Sequence, residues 1–251
     1  MPRVGFAVLL SLPRRVLGLD NTSPLWLGSA LSHEGEVRVY CKPASPEEAL
    51  TEICSMLLAD AIGLAVPSLY LIHDPDRHLN QALLIGSEDA GSPSLRQLVD
   101  QKDPAVSLAL QTWAQLGHAA VFDEWIHNPD RNQGNLLYNG RGEWVLIDHA
   151  RALGAWPPGS PVPDPAESIS NGLAHTVVAQ ERDFGVAKMR RLVREFITAW
   201  GGADIQSPSS LAIQHLGMCD RQTATLDFLG DRLHHLPRLL GAYGQQGDLN
   251  I

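Results

Sequence analysis

Residues 127–149 read HNPDRNQGNLLYNGRGEWVLIDH, and this stretch restricts the possible folds more than any other part of the chain. Two short apolar runs, Leu136–Tyr138 and Trp144–Ile147, flank the turn-forming link Asn139-Gly140-Arg141-Gly142, a pattern that predicts a β-hairpin. A hairpin brings the chain back to its starting point. Asn135 enters the first strand and Asp148 leaves the second, so both side chains are expected at one mouth. An amide oxygen and a carboxylate are hard ligands, suited to Mg²⁺ held against phosphates. Asp130 lies five positions before Asn135, one loop away, where it can orient an acceptor hydroxyl. The alternative is a polar surface hairpin, since Asn128-Pro129-Asp130 is also ordinary turn chemistry.

Composition narrows the function classes. The 251 residues suit one large domain or two closely packed lobes, and a hydrophobic content of 44% can fill a core. With 19 Lys and Arg against 28 Asp and Glu the net charge is −9, and no basic run stands out. That argues against nucleic acid as the main partner, because binding a phosphate backbone needs clustered positive charge. Cys41, Cys54 and Cys219 are odd in number and widely spaced, which suits a reducing, cytoplasmic compartment better than a disulfide framework. No run has the length of a membrane span. The stretch Met1–Leu12 lacks a small-residue cleavage site and reads as a first strand.

Upstream, Leu25–Leu31 and Glu36–Cys41 read as strands, and so does Val16–Leu19. A helix follows with clear punctuation: Ser45 as N-cap, Pro46 at the first position and Glu48 completing a capping box, with Gly63 at its end. Its apolar stripe runs through Leu50, Ile53, Cys54, Leu57, Leu58 and Ala61, which places Glu52 off the buried face. Ala65–Ile72 and Gln81–Ile85 are further strand candidates, and residues 86–94 read as a connector. Residues 104–126 read as one long helix carrying Leu108, Trp113, Leu116, Val121 and Trp125. Five prolines between residues 157 and 165 predict stiff, extended backbone, either a wall beside the acceptor path or a surface linker. The remainder reads as helical over 189–200, 209–217 and 221–241, with a break or kink at Pro237.

The Asp130-to-Asn135 spacing matches the D-x-x-x-x-N of protein kinases. The local wording, Asp130-Arg131-Asn132 followed by Asn135 and then Asp148-His149-Ala150, resembles the HipA-like kinases and their relatives, the phosphatidylinositol 3- and 4-kinases. Asn132 stands where that family usually has histidine. The order of Lys42 after a strand, Glu52 on the next helix, then Gly63-Leu64-Ala65-Val66-Pro67 is similar to the same family, so the resemblance spans roughly residues 37–153.

It implies an α+β, two-lobed protein-kinase-like fold: a small strand-rich amino-terminal lobe (1–88) and a helical carboxy-terminal lobe (89–251). It also implies ATP and Mg²⁺ as cofactors and transfer of a phosphoryl group to a protein Ser/Thr or small-molecule hydroxyl. In that scheme Asp130 is catalytic, Asn135 and Asp148 hold magnesium, Lys42 contacts the nucleotide phosphates and Glu52 orients Lys42. No glycine-rich phosphate loop is present; Gly18, Asn21, Thr22, Ser23, Gly28 and Ser29 offer an anion nest or only a hairpin turn. The rival functions are a non-catalytic nucleotide-binding module and a nucleotidyl transferase on the same fold. A metal hydrolase built on His127, Asp130, Asp148 and His149 has no helical histidine pair to support it.

Overall fold

The computed structural model describes residues 4–16, 24–80, 83–102, 105–154, 159–180, 184–200 and 219–244. The first half is a sheet and one helix. Strands β1 (Val4–Leu9), β2 (Arg14–Arg15), β3 (Trp26–Ser32), β4 (Gly35–Pro43), β5 (Leu69–His73) and β6 (Leu83–Glu88) form one six-stranded sheet. Strand β1 pairs in parallel with β5 and antiparallel with β3, so the order β1-β5-β6-β4-β3 returns to β1. The inward residues of these strands, among them Ala7, Ala30, Val39, Cys41, Tyr70 and Ile72, make a small separate core. Gly86 belongs there because any side chain on it would collide with Ile72.

Helix α1 (Pro46–Ala61) starts as its sequence dictates. The Ser45 hydroxyl accepts from the Glu48 amide, the Glu48 carboxylate accepts from the Ser45 amide, and Pro46 fills the first turn. Its burial departs from the single-stripe expectation: Thr51, Glu52 and Ser55 are buried along with the apolar residues. The helix shares the larger core with Leu69 and Leu71 of β5 and Ile85 of β6, and Glu52, 6% exposed, does not face solvent.

Three expected boundaries move. Strand β5 begins at Leu69, beyond Pro67, and Ala65 instead accepts a hydrogen bond from Leu146. Strand β6 runs on through Gly86 to Glu88, because it finds partners on both β4 and β5, and the connector shrinks accordingly. Helix α2 (Leu95–Asp100) follows, capped by Ser94 with Gln97 in a second capping box. Of the Val16–Leu19 expectation only Val16 is described, and it lies outside a strand.

The single long helix expected over 104–126 is two helices, α3 (Ala105–Gln111) and α4 (Leu116–Trp125). Between them the bonding tightens to three-residue spacing: Trp113 donates to Leu110 and Leu116 to Trp113. The break turns Trp113 into the core while Leu108 stays exposed. The hairpin forms as expected, β7 (Leu136–Tyr138) against β8 (Trp144–Leu146). Helices α5 (Gly172–Gln180), α6 (Gly185–Trp200) and α7 (Cys219–Gly241) complete the described fold, and α7 continues through Pro237. Trp125 sits at their centre, with Phe196 and Trp200 ring centroids 5.3 and 5.0 Å away and its indole donating to Leu229. The helix expected over 209–217 lies outside the described residues. No described helix is long and apolar enough to cross a membrane.

Candidate active site

A cleft with a cavity of about 320 Å³ opens between the sheet, α1, the connector and the hairpin. Lys42, Glu52, Asp130, Asn135 and Asp148 all line it. Apolar side chains from the sheet (Leu69, Ile85) and from the hairpin (Leu137, Ile147) share the cavity with them. Its size falls within the range of small-molecule sites, about 300–1,000 Å³.

The loop that carries Asp130 is held by one buried guanidinium. Arg131 makes a two-pronged pair with Asp123 of α4 (Nε to Oδ2 2.9 Å, Nη2 to Oδ1 3.0 Å). Its Nη1 donates to the carbonyls of Asn135 (2.8 Å) and Ile147 (2.9 Å), the residues that open and close the hairpin. Asn128 donates to the same Asp123 and accepts from the Asp130 amide. Asn135 donates its side-chain N–H to the Asp130 carbonyl at 2.9 Å, which leaves its amide oxygen as the open atom. Asp148 has φ +57°, in the left-handed region that aspartate tolerates better than most residues. Asp130 faces Arg151, whose Nη1 is 3.6 Å from Oδ1.

The opposite wall is arranged differently from the expectation. Lys42 bonds Asp148 (Nζ to Oδ1 2.5 Å) and makes no ion pair with Glu52. Burial alone would pull the Lys42 ammonium down; the Asp148 and Glu52 carboxylates outweigh it and hold it above its ordinary value. Glu52 is 6% exposed, and the imidazole of His149 lies beside it, with Nδ1 3.7 Å from Oε1. That distance is too long for a hydrogen bond, and Glu52 Oε2 and both His149 nitrogens have no partner. Burial would push the Glu52 carboxyl up; His149 and Lys42 together hold it well below the usual carboxylate range.

Two arrangements were not read from the sequence. Half of the Arg131 staple's hydrogen bonds end on backbone carbonyls, which carry no residue signature. His149 packs edge-on to Phe122, ring centroids 6.1 Å apart, and places an imidazole beside Glu52. Downstream, three arginines of α7 grip the chain that follows Asp148. Arg221 donates to the carbonyls of Leu153, Gly154 and Ser160, Arg232 to those of Pro165 and Glu167, and Arg238 to that of Ala166. Arg232 is itself fully buried against Glu124 of α4, 3.0 Å away. Residues 155–158 of this segment, with Pro157 and Pro158, lie outside the described residues.

Of the anion-nest residues, Gly28 and Ser29 are paired in β3 with Val39 and Arg38, and Gly18, Asn21, Thr22 and Ser23 lie outside the described residues. Burial pushes the Cys41 and Cys54 thiols up to about 12, which leaves neither a ready nucleophile. No cluster of three or more His, Cys, Asp or Glu with metal-site geometry occurs among the described residues.

No family model and no curated protein matches the chain. Among solved structures, a proinflammatory kinase of Helicobacter pylori, CtkA, is similar at 11% identity and a TM-score of 0.39, covering 90% of this chain and 98% of that one. A likeness at that score carries no argument about function.

Proposed function

We propose that the protein is a two-lobed, protein-kinase-like phosphotransferase that uses ATP and Mg²⁺, with residues 1–88 as the smaller lobe and 89–251 as the larger. One observation carries the reading. Five residues chosen for this chemistry, spread over 106 positions from Lys42 to Asp148, line one cleft with an apolar slot beside them. The donor set fits the cofactors: Asn135 and Asp148 offer hard oxygens for magnesium, and Lys42 a cation for the nucleotide phosphates. Bound magnesium would neutralise charge on those phosphates. Asp130, on the stapled loop, orients the acceptor hydroxyl and takes its proton. Arg151 lies beside it, Nη1 3.6 Å from Oδ1. The acceptor is a protein Ser/Thr or a small-molecule hydroxyl.

Calorimetry with Mg·ATP should show binding that Asp148→Ala weakens; equal binding by both proteins removes the metal assignment. Asp130→Asn should keep the fold and the nucleotide but lose about 10²- to 10⁴-fold in turnover. The mass of the modified product separates phosphoryl from nucleotidyl transfer. A non-catalytic nucleotide-binding module is the second reading, and the pairs Lys42–Asp148 and Arg151–Asp130 favour it, because each carboxylate already carries a cation of the chain's own. Nucleotide binding without turnover on any hydroxyl acceptor supports that reading.

A further inference from the structure

We infer that the outer face of strands β1 and β3 is an interaction surface for a second copy of this chain, the two copies being related by a two-fold axis. The residues that make this face are not among those lining the cleft, so the inference does not depend on the kinase reading.

Strand β1 is apolar on both sides. Ala7 and Leu9 point into the small core of the sheet, while Phe6 and Val8 between them are 55% and 42% exposed. Leu10 and Leu12, just after the strand, are exposed as well. A strand with one solvated face normally alternates apolar and polar residues; apolar residues on both faces belong to a strand covered on both. The register sets Val8 beside Leu31 of β3, itself 51% exposed. Of the eight large hydrophobics exposed among the described residues these five lie together, and Val99, Leu108 and Phe184 lie elsewhere. Single exposed apolar residues are ordinary, whereas a contiguous group marks a contact surface. Helix α1 covers Leu69, Leu71 and Ile85 on another part of the same sheet, and no described helix does so over Val8 and Leu31.

Two observations select the occupant. Strand β1 is paired with β3 on one side and β5 on the other, so it has no free edge. A partner therefore docks on side chains and does not add a strand. The rim carries charges of both signs at opposite ends of the patch. Glu36 is paired across from Leu31 with Glu34 in the adjoining turn, and Arg14 is paired across from Leu27 near the other end of β3. All three charged residues are exposed. Arg38, between the two ends, is already engaged by Asp89 at 3.0 Å. A partner of one charge sign would meet a repelling end. A second copy does not: a two-fold axis lying in the plane of the face and through its apolar centre lays the acidic end of each copy on the basic end of the other.

Sedimentation of the full chain should show a reversible monomer–dimer equilibrium within a concentration series reaching roughly 1 mM. Leu31→Lys should weaken the dimer about a hundredfold while keeping the circular dichroism of the parent. Arg14→Glu and Glu36→Arg should each weaken it about tenfold, because the symmetry repeats each contact twice, and the two changes combined should restore the parent's constant. Rescue by the exchanged pair is a result that a merely destabilised fold does not give. A monomer throughout, a dimer indifferent to Leu31→Lys, or single charge variants that the combination does not rescue would overturn the inference. A monomer that instead sediments with vesicles of phosphatidylcholine and phosphatidylserine assigns the face to a lipid surface and overturns it too. Failure of Mg·ATP to bind, by contrast, bears only on the kinase reading.

Discussion

On the loop side of the cleft, nearly every polar group near Asp130 has a partner: Arg131 alone reaches Asp123 and the carbonyls of Asn135 and Ile147. On the α1 side, Glu52 Oε2 and both His149 nitrogens are buried without one, and Lys42 leans across to Asp148. Buried polar groups without partners cost about 1–3 kcal/mol each, so the α1 side is held in a less settled arrangement. The difference separates two tasks. Groups that act on an acceptor are best fixed in advance. Groups that receive a charged, metal-bearing ligand can wait in temporary pairs that the ligand replaces.

The sharpest break of this contrast is Arg131→Met. It strips a buried pair whose side chains are 2% and 0% exposed and leaves Asp123 uncompensated. Urea unfolding should show a loss of about 3–5 kcal/mol. Glu52→Gln should cost less, since only Arg131 makes a two-pronged pair with close hydrogen bonds and Glu52 Oε2 has no partner, and comparable losses at both positions would erase the distinction.

His127 is an exception on the loop side. It is buried with neither ring nitrogen in a hydrogen bond and Nε2 3.9 Å from a Glu167 oxygen, and burial together with the Arg232 charge pulls it down to about 4. Between about pH 6.5 and 4 the unfolded chain takes up a proton that the folded chain refuses, so the contribution is complete above pH 6.5 and lost as pH falls. The effect amounts to about 2 kcal/mol after allowing for partial exposure. Unfolding of wild type and His127→Asn at pH 7 and pH 4.5 checks it: the variant should lose less on acidification, and parallel losses would remove the assignment.

The smallest expected effect concerns exchange of the temporary pairs. With Mg·ATP bound, Lys42 should leave Asp148 for Glu52, whose Oε2 is open. Alanine variants at Lys42 and Glu52 should then be non-additive by about 1 kcal/mol in a double-mutant cycle on nucleotide-bound activity. Additive losses would mean that the two residues never meet.

Local grammar was the legible part of the sequence. Ser45, Pro46 and Glu48 specify the start of α1 through bonds within a few residues, and Asn139–Gly142 specifies the hairpin the same way. Ser94 and Gln97 form an equal local signal for α2. What failed depended on distant neighbours. Residues 104–126 have no proline or glycine until Gly117 beyond the N-terminal Pro104, so nothing local announces the break that buries Trp113. Glu52 was expected in solvent because helical periodicity counts one buried face, and α1 buries more than one. The cleft residues were readable as types and spacings, but their pairing was not: Lys42 meets Asp148, a partner 106 positions away.

The grip of α7 on the segment after Asp148 has a consequence for sequence change. Arg221, Arg232 and Arg238 all bond backbone carbonyls, which every amino acid supplies. The course of residues 153–154, 160 and 165–167 is therefore held in part through groups that do not depend on side-chain identity. Side chains that take no part in holding the segment, unlike Val162 against the core and Asp164 on the Ala166 amide, can change while the three guanidiniums keep their carbonyls. The surface there can change piecemeal, whereas the three arginines of one helix have to be kept together.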